Sequence, residues 1–338
     1  MQPIRLFAAT GDAVIRIDSA DGQRFELTPG LEGSGAQCVA VDPRDPQRVY
    51  VGTFDHGVWR SLDGGATWED VTANIPHKRV LSIAVSPVDV VAGRSVVFAG
   101  TEPSRLYRSD DDGRSWSDSP RLPELPSAPT WSFPPRPWTH HVRWIAPHAH
   151  DRDLLFVGIE LGGVMRSRDG GATWEDRKPG SQWDAHTVAT HPVDPNRVYE
   201  AAGGGVAISL DAGDTWQPAD AGKDRRYAWA LAVDPADPDL WYVSATFGAR
   251  EAHRNTGDSQ ALLYRSRGGG PWQALSGGLP QPLPYMPYAL LVPFAQPGTL
   301  VVGFQNGSLA HSPDAGESFR MLDVQLPALL ALSEARLA

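Results

Sequence analysis

The chain has 338 residues and a formal net charge of −10, from 30 Lys and Arg against 40 Asp and Glu. This acidic balance, without any basic run, argues against nucleic acid or an anionic membrane as a partner. Cys38 is the only cysteine, which excludes an internal disulfide, and no apolar stretch reaches the length of a membrane span. The first residues enter a strand-like run without the features of a secretory signal, so we expect a cytoplasmic protein.

Short apolar runs separated by turn residues follow one another along the whole chain. Two strand-like runs come first, at residues 4–8 and 13–17, and a degenerate copy of a turn motif, described below, follows at 18–25. An apolar strand closed by a Pro or Asp turn then recurs at residues 38–43, 81–87, 142–147, 187–192, 229–235 and 288–293. Runs with this punctuation predict strands. A seventh copy lies at residues 327–333, whereas the two N-terminal runs have no such strand before them.

A second recurring phrase has the form Ser-x-Asp-x-Gly-x-Thr/Ser followed by Trp or Phe. It lies at residues 61–68, 109–116, 167–174, 209–216 and 312–319, with a damaged copy at 266–272. Its aspartate can accept hydrogen bonds from the backbone of its own turn, and its glycine supplies a backbone conformation that other residues avoid. Each copy stands between two short strands. The phrase therefore predicts a hairpin turn in a repeat architecture whose units pack only against their neighbours.

This phrase resembles the Asp-box, or BNR repeat, of sialidases, xyloglucanases, sortilin-type receptors and the photosystem II assembly factor. The resemblance covers nearly the whole chain and implies four-stranded β-propeller blades whose Asp-boxes lie away from the active site. Six complete units plus one shared between the termini predict an all-β, seven-bladed β-propeller of four-stranded antiparallel blades, with residues 1–338 as a single domain. We expect the C-terminal strand to complete the first blade, because ring closure removes exposed edge strands.

The face opposite the repeated turns is the predicted site, because residues that enter the inner strands and the loops between second and third strands meet there. The candidate catalytic residues are Glu102, His141, Glu160 and His186. The candidate ligand-binding residues are His56, Arg79, Trp138, Arg143, Tyr227 and Tyr288. Imidazole and carboxylate groups bind divalent metals and transfer protons near neutral pH. A divalent metal cofactor held by His56, His141, Glu160 and His186 is therefore a further hypothesis. On the other face, His148 and His191 are expected to bond within turns.

Three insertions fall on the same face as the predicted site, at residues 119–140, 247–260 and 276–287. They predict a lid or a ligand wall, and the alternatives are a plug in the channel or a subunit interface. The expected function is binding or hydrolysis of a small-molecule or glycan-like ligand at the channel mouth. An enzyme of this kind would be a hydrolase or a lyase, and the alternative is a non-enzymatic scaffold for protein interaction or assembly. Sialidase activity is not expected, because the Arg-Ile-Pro element that sialidases carry near their start is missing here.

Overall fold

The computed structural model describes residues 3–337, which form a ring of seven antiparallel sheets, the blades. Blade 1 contains β1 (Ile4–Ala9), β2 (Val14–Ser19) and β3 (Glu26–Gly30), and blade 2 contains β4 (Ala36–Asp42), β5 (Asp45–Thr53), β6 (Val58–Ser61) and β7 (Glu69–Asp70). Blade 3 contains β8 (Val80–Val91), β9 (Arg94–Thr101), β10 (Leu106–Ser109) and β11 (Ser117–Asp118), and blade 4 contains β12 (Val142–Pro147), β13 (Leu155–Ile159) and β14 (Gly163–Ser167). The fourth strand of blade 4 is reduced to one bridge between Arg166 and Glu175.

The remaining blades repeat the same order from the channel outward. Blade 5 contains β15 (Ala185–Thr190), β16 (Val198–Ala202), β17 (Gly205–Ser209) and β18 (Gln217–Pro218). Blade 6 contains β19 (Tyr227–Val233), β20 (Trp241–Thr246), β21 (Leu262–Ser266) and β22 (Gln273–Leu275), and blade 7 contains β23 (Pro287–Leu291), β24 (Leu300–Phe304), β25 (Ser308–Ser312) and β26 (Arg320–Gln325). Finally, β27 (Ala331–Ala335) returns to blade 1. The predicted seven-bladed propeller is therefore confirmed.

Helices are few and short. Two 3-10 helices, Leu122–Glu124 and Ala128–Thr130, lie in the insertion before blade 4, and α1 (Ala249–His253) lies in the insertion of blade 6. The part of the chain that the structure describes contains no helix with the length and hydrophobicity of a membrane span.

The ring closes through the C-terminal strand, as predicted. β1 pairs with β27 in an antiparallel register from Arg5 opposite Ala335 to Ala9 opposite Ala331. The strand starts at Ala331, a few residues after the predicted start of its motif. Since β1 has β2 on its other side, β1 is paired along both of its edges.

The apolar core lies between the blades. Seven clusters of buried side chains correspond to the seven interfaces between neighbouring blades. In the cluster between blades 3 and 4, for example, Phe98 and Leu106 pack with Leu155 and Val157. Successive side chains of a strand point to opposite faces of its sheet, so each blade can bury both faces against its two neighbours. The inner strands surround a central channel of about 650 Å³.

The repeated turns are closed by their own side chains. In the copy that follows β17, the Asp211 carboxylate accepts hydrogen bonds from the backbone N–H of Thr215 at 2.8 Å and from its hydroxyl at 2.6 Å. Ser209 Oγ accepts the N–H of Gly213 at 2.8 Å, where the backbone has a φ of +83° that favours glycine. These bonds to Thr215 lower the pKa of Asp211. Trp216 then packs between blades 4 and 5, so the turn has a structural role.

Candidate functional site

A recurrent bulge near the start of the inner strands builds the channel mouth, by which we mean the face where these strands begin. In blades 2 to 7, the register between the inner strand and the next strand shifts at this point. A bulge leaves an extra residue unpaired and re-aims its side chain. On four consecutive blades, the residues at the bulge are Arg143, His186, Trp229 and Tyr288. The bulges therefore place one functional side chain per blade on one side of the mouth.

Glu160, Asp184 and His186 form a compact group there. Each offers one ligand atom, and these atoms all lie within 4.8 Å of one another. Glu160 directly follows β13, and Asp184 directly precedes β15, which contains His186. The distance from Asp184 Oδ2 to His186 Nε2 is 3.4 Å. The end of blade 4's second strand and the start of blade 5's first strand therefore bring these side chains together.

The tautomer of His186 favours metal binding. Its ring is fully buried, and Nδ1 lies 2.7 Å from the carbonyl oxygen of Ala228, to which it must donate a proton. In the neutral ring this leaves a lone pair on Nε2, next to the Asp184 carboxylate. Nε2 has no hydrogen-bond partner in residues 3–337. One imidazole nitrogen and two carboxylates suit a divalent cation such as Mn²⁺ or Zn²⁺.

Two neighbours hold Glu160 in its ionised form. His141 Nε2 lies 3.0 Å from Glu160 Oε2, and Arg143 Nε lies 3.8 Å from the same oxygen. Burial alone would raise the pKa of Glu160, but the hydrogen bond with His141 and the charge of Arg143 lower it to about 2. Glu160 therefore presents a carboxylate at neutral pH, which fits a ligand or a base better than a general acid. His141 positions this carboxylate.

An aromatic wall stands beside the cluster. The Trp229 ring lies 4.6 Å from His186, 4.7 Å from His253 and 5.3 Å from Tyr288, measured between centroids. His253 bridges two phenols, with Tyr227 3.0 Å from Nε2 and Tyr288 2.7 Å from Nδ1. Desolvation lowers the pKa of His253 to about 4, although part of the residue remains exposed. The neutral ring has a single N–H, so one phenol donates to it and the other accepts from it.

Several predicted site residues do meet at the mouth. Glu160, His186, Arg143, His141, Tyr227 and Tyr288 all belong to the cluster, to its neighbours or to the aromatic wall. Asp184, Trp229 and His253 were not among the candidate catalytic, ligand-binding or metal-binding residues. Aligning the starts of the inner strands would have revealed the first two, because Asp184 lies two residues before His186 and Trp229 shares its bulge position.

Glu102 and Arg79 are engaged elsewhere. Arg79 Nη1 donates to Glu102 Oε1 at 2.7 Å, and Arg136 Nε donates to the same carboxylate at 2.9 Å. Burial opposes ionisation, but the bonds from Arg136 and Arg79 lower the pKa of Glu102. Arg79 also stacks on Phe54 at 4.1 Å. Because Arg136 belongs to the insertion before blade 4, this ion cluster ties the insertion to the ring, and we do not include Glu102 or Arg79 among the residues that meet the ligand.

His56 and Trp138 lie apart from the cluster. His56 is exposed in the loop between β5 and β6, and it is not part of the metal-capable group found among residues 3–337. Trp138 is 80% exposed near the end of the insertion before blade 4. On the opposite face, His148 and His191 accept backbone N–H groups of their own turns on Nδ1. Their turn-bonding role is as predicted.

Comparison with known proteins supports the fold. No family model matches the chain. A xyloglucanase from Paenibacillus sp is 25% identical over 281 residues, which are 70% of this chain and 26% of that protein. Xyloglucanase Xgh74A from Acetivibrio thermocellus is 31% identical over 170 residues, which are 42% of this chain and 19% of that protein. The chain thus spans about a quarter, or less, of the length of these curated relatives.

Solved structures extend this likeness to the ring as a whole. An ancestral GH74 enzyme matches with a TM-score of 0.65 and 20% identity, covering 88% of this chain and 38% of that chain. YCF48 bound to a D1 peptide matches with a TM-score of 0.58 and 18% identity, covering 85% of this chain and 80% of that chain. The protein is accordingly a seven-bladed β-propeller similar to GH74 xyloglucanases and to YCF48.

Proposed function

We propose that the channel mouth binds a divalent cation through Glu160, Asp184 and His186 and, beside it, a small-molecule or glycan-like ligand. The observation that carries this proposal is the unpartnered Nε2 of the fully buried His186, which lies against the Asp184 carboxylate. Leaving a buried polar atom without a partner costs about 1–3 kcal/mol. A cation would remove that cost and would also neutralise two carboxylates that lie close together.

The surroundings of the cluster suit an organic ligand. Tyr288 lines the channel and packs on the largely buried Trp229, and the neighbouring phenols and His253 offer hydrogen-bonding groups. Binding sites for small molecules commonly combine such an aromatic wall with a few polar groups. The relatives named as xyloglucanases make a glycan a reasonable first ligand to test.

Hydrolysis at this site would depend on the cation and on Glu160. A bound divalent cation lowers the pKa of a water ligand and so supplies a nucleophile near neutral pH. Glu160 is kept ionised by His141 at 3.0 Å, and it can orient such a water or accept its proton. Tyr227 and Tyr288, linked through His253, are candidate proton donors beside the cluster. If the protein binds its ligand without hydrolysing it, the same residues would form the binding site.

Calorimetric titration of the EDTA-treated protein with Mn²⁺ or Zn²⁺ tests the cation site. We expect one cation per chain and at least about tenfold weaker binding in Asp184→Asn, since a direct ligand should matter no less than its supporting groups. Glu32→Gln, an exposed carboxylate on the same rim, is the matched control and should bind like the wild type. Absence of saturable binding, or equal affinity in Asp184→Asn, would refute the proposal. Xyloglucan oligosaccharides can then be assayed for binding and for reducing-end release, with and without the cation.

A protein partner is a second candidate, favoured by aromatic side chains exposed on the same rim. Trp138 is 80% exposed, Phe247 57% and Trp183 40%. Exposed aromatic residues are enriched at protein interfaces, and YCF48, to which this chain is similar, has been solved with a bound peptide. Under this alternative, Trp138→Ala would reduce binding of a partner or peptide but leave cation binding unchanged.

A further inference from the structure

We infer that the ligand of this mouth carries an oxyanion, a carboxylate or a phosphate, that binds the guanidinium of Arg143 beside the cation. This inference rests on the cation site proposed above and specifies the chemical class of its ligand. The observation behind it is that the largely buried guanidinium of Arg143 makes no hydrogen bond within the described residues. The side chain is 19% exposed, and the hydrogen bonds found in residues 3–337 include none from its guanidinium.

Other arginines with similar or lower exposure do donate hydrogen bonds; Arg197, whose side chain is 20% exposed, donates to Asp239 at 2.6 Å. Arg166 donates to the Ala212 carbonyl at 2.8 Å and to Glu175 at 2.6 Å. Arg265 donates to the Ala315 carbonyl at 2.7 Å and to Glu317 at 2.7 Å. A guanidinium has five N–H donors, and leaving them unpaired in a partly dehydrated site is costly. Arg143 therefore differs from the structural arginines of the same fold.

Arg143 is nevertheless held in place. Its Cζ lies 4.5 Å from the centroid of the Trp229 ring, a cation–π contact that fixes the guanidinium without using its N–H donors. Its Nε is 3.8 Å from Glu160, which is beyond hydrogen-bonding distance. The side chain also lines the central channel together with Thr187 and Tyr288. The donors are thus pre-positioned at the edge of an open space.

The charges in the site point to the same class of ligand. A divalent cation balances the charges of Glu160 and Asp184, so Arg143 leaves one net positive charge on this group of three residues and the cation. A carboxylate or phosphate can accept two parallel hydrogen bonds from a guanidinium, and such charge-assisted pairs are stronger than neutral ones. A neutral ligand can accept hydrogen bonds from Arg143, but it would leave the charge of the guanidinium uncompensated.

Three probes that share one sugar ring test the inference. D-glucose, D-glucuronate and glucose 6-phosphate are titrated into the Mn²⁺-loaded 338-residue protein, into Arg143→Gln and into Arg143→Lys. We expect at least one of the two anions to bind about tenfold more tightly than glucose, and the two anions separate a carboxylate from a phosphate preference. Arg143→Gln should lose the preference for an anion. Arg143→Lys keeps the positive charge but cannot donate two parallel hydrogen bonds, so it should retain part of the preference.

The outcomes separate this inference from the function on which it rests. If the wild type binds no cation, the proposed cation site fails. If the cation binds but neither anion binds, or glucose binds as tightly as both, only the oxyanion inference is overturned. It is also overturned if Arg143→Gln keeps the full preference. Cooperative melting and saturable Mn²⁺ binding by the two variants show that they fold and keep the cation site.

Discussion

The buried carboxyl group of Glu200 should make the stability of the protein depend measurably on pH. Glu200 lies in β16, is fully buried, and accepts the backbone N–H of Gln182 on Oε2 at 2.9 Å. Its Oε1 has no partner in residues 3–337. Burial, with a smaller effect from the charge of Asp184, raises the pKa of Glu200 to about 8 from the ordinary value of 4.5. The folded protein therefore keeps a proton on this carboxyl group at neutral pH, whereas the unfolded chain releases it.

The sign and size of the effect follow from this difference. Between about pH 4.5 and pH 8 the folded state binds one proton more than the unfolded state, so the free energy of unfolding falls as the pH rises. At about 1.4 kcal/mol per pH unit, the free energy of unfolding falls by about 5 kcal/mol in total. About 3 kcal/mol of this has been lost by pH 7. Glu200→Gln removes the titration but keeps an uncharged group of similar shape. The variant should therefore gain stability relative to the wild type as the pH rises.

Thermal unfolding of both proteins in EDTA, at about pH 5 and about pH 9, measures this gain. An unfolding entropy of about 2 cal/mol/K per residue corresponds to about 0.7 kcal/mol/K for 338 residues. About 4 kcal/mol of the loss falls between these two pH values, so the difference in melting temperature, variant minus wild type, should rise by about 6 °C. Other titrating groups change equally in both proteins and cancel. A difference that stays constant with pH would show that Glu200 is ionised in the folded state and would refute the reasoning.

Three further changes test the ring, the insertion and the site. Deleting residues 327–337 removes β27 and exposes the edge of β1, so we expect aggregation or loss of cooperative unfolding in gel filtration and melting experiments. Arg136→Gln removes donors to the buried Glu102, so limited proteolysis should cut the insertion at residues 119–140 faster than in the wild type. Gly203→Ala should weaken cation binding at nearly unchanged stability, because its Cβ would lie 2.0 Å from Asp184 Oδ2 and would displace that side chain. Gly204→Ala, whose Cβ would instead meet Gln182, is the neighbouring control in the same titration.

The fold could be predicted because its signals are local. Each repeated turn is closed by hydrogen bonds within a few residues, as between Asp211 and Thr215, so its sequence reports its structure directly. The closing strand could be inferred from an inner-strand pattern present at the C-terminus and missing at the N-terminus. Its pairing with β1 joins residues more than 300 positions apart, but the ring leaves only one place for it.

The site was predicted only in part because its contacts are not local. The direction of the strands in a propeller was enough to place Glu160, His186 and Arg143 on one face. The role of Glu102 depends on Arg136, which reaches it from an insertion with no repeat pattern to indicate its path. His56 has a metal-binding side chain on the face of the channel mouth, but its loop leaves it exposed and outside the cation cluster.

The bulge positions also explain why the site lies to one side of the channel. At this position blades 4 to 7 carry Arg143, His186, Trp229 and Tyr288, whereas blades 2 and 3 carry uncharged Gln37 and Leu81. Equivalent backbone positions around the ring thus differ in chemistry, and a ligand that binds the charged and aromatic side must lie off the axis. In blade 5 the loop between the second and third strands is short and has Gly203 beside Asp184. In blade 6 the equivalent loop contains an insertion. The short loop leaves room for the Asp184 carboxylate, and the insertion supplies His253, so variation in loop length around a regular ring is what makes this mouth specific.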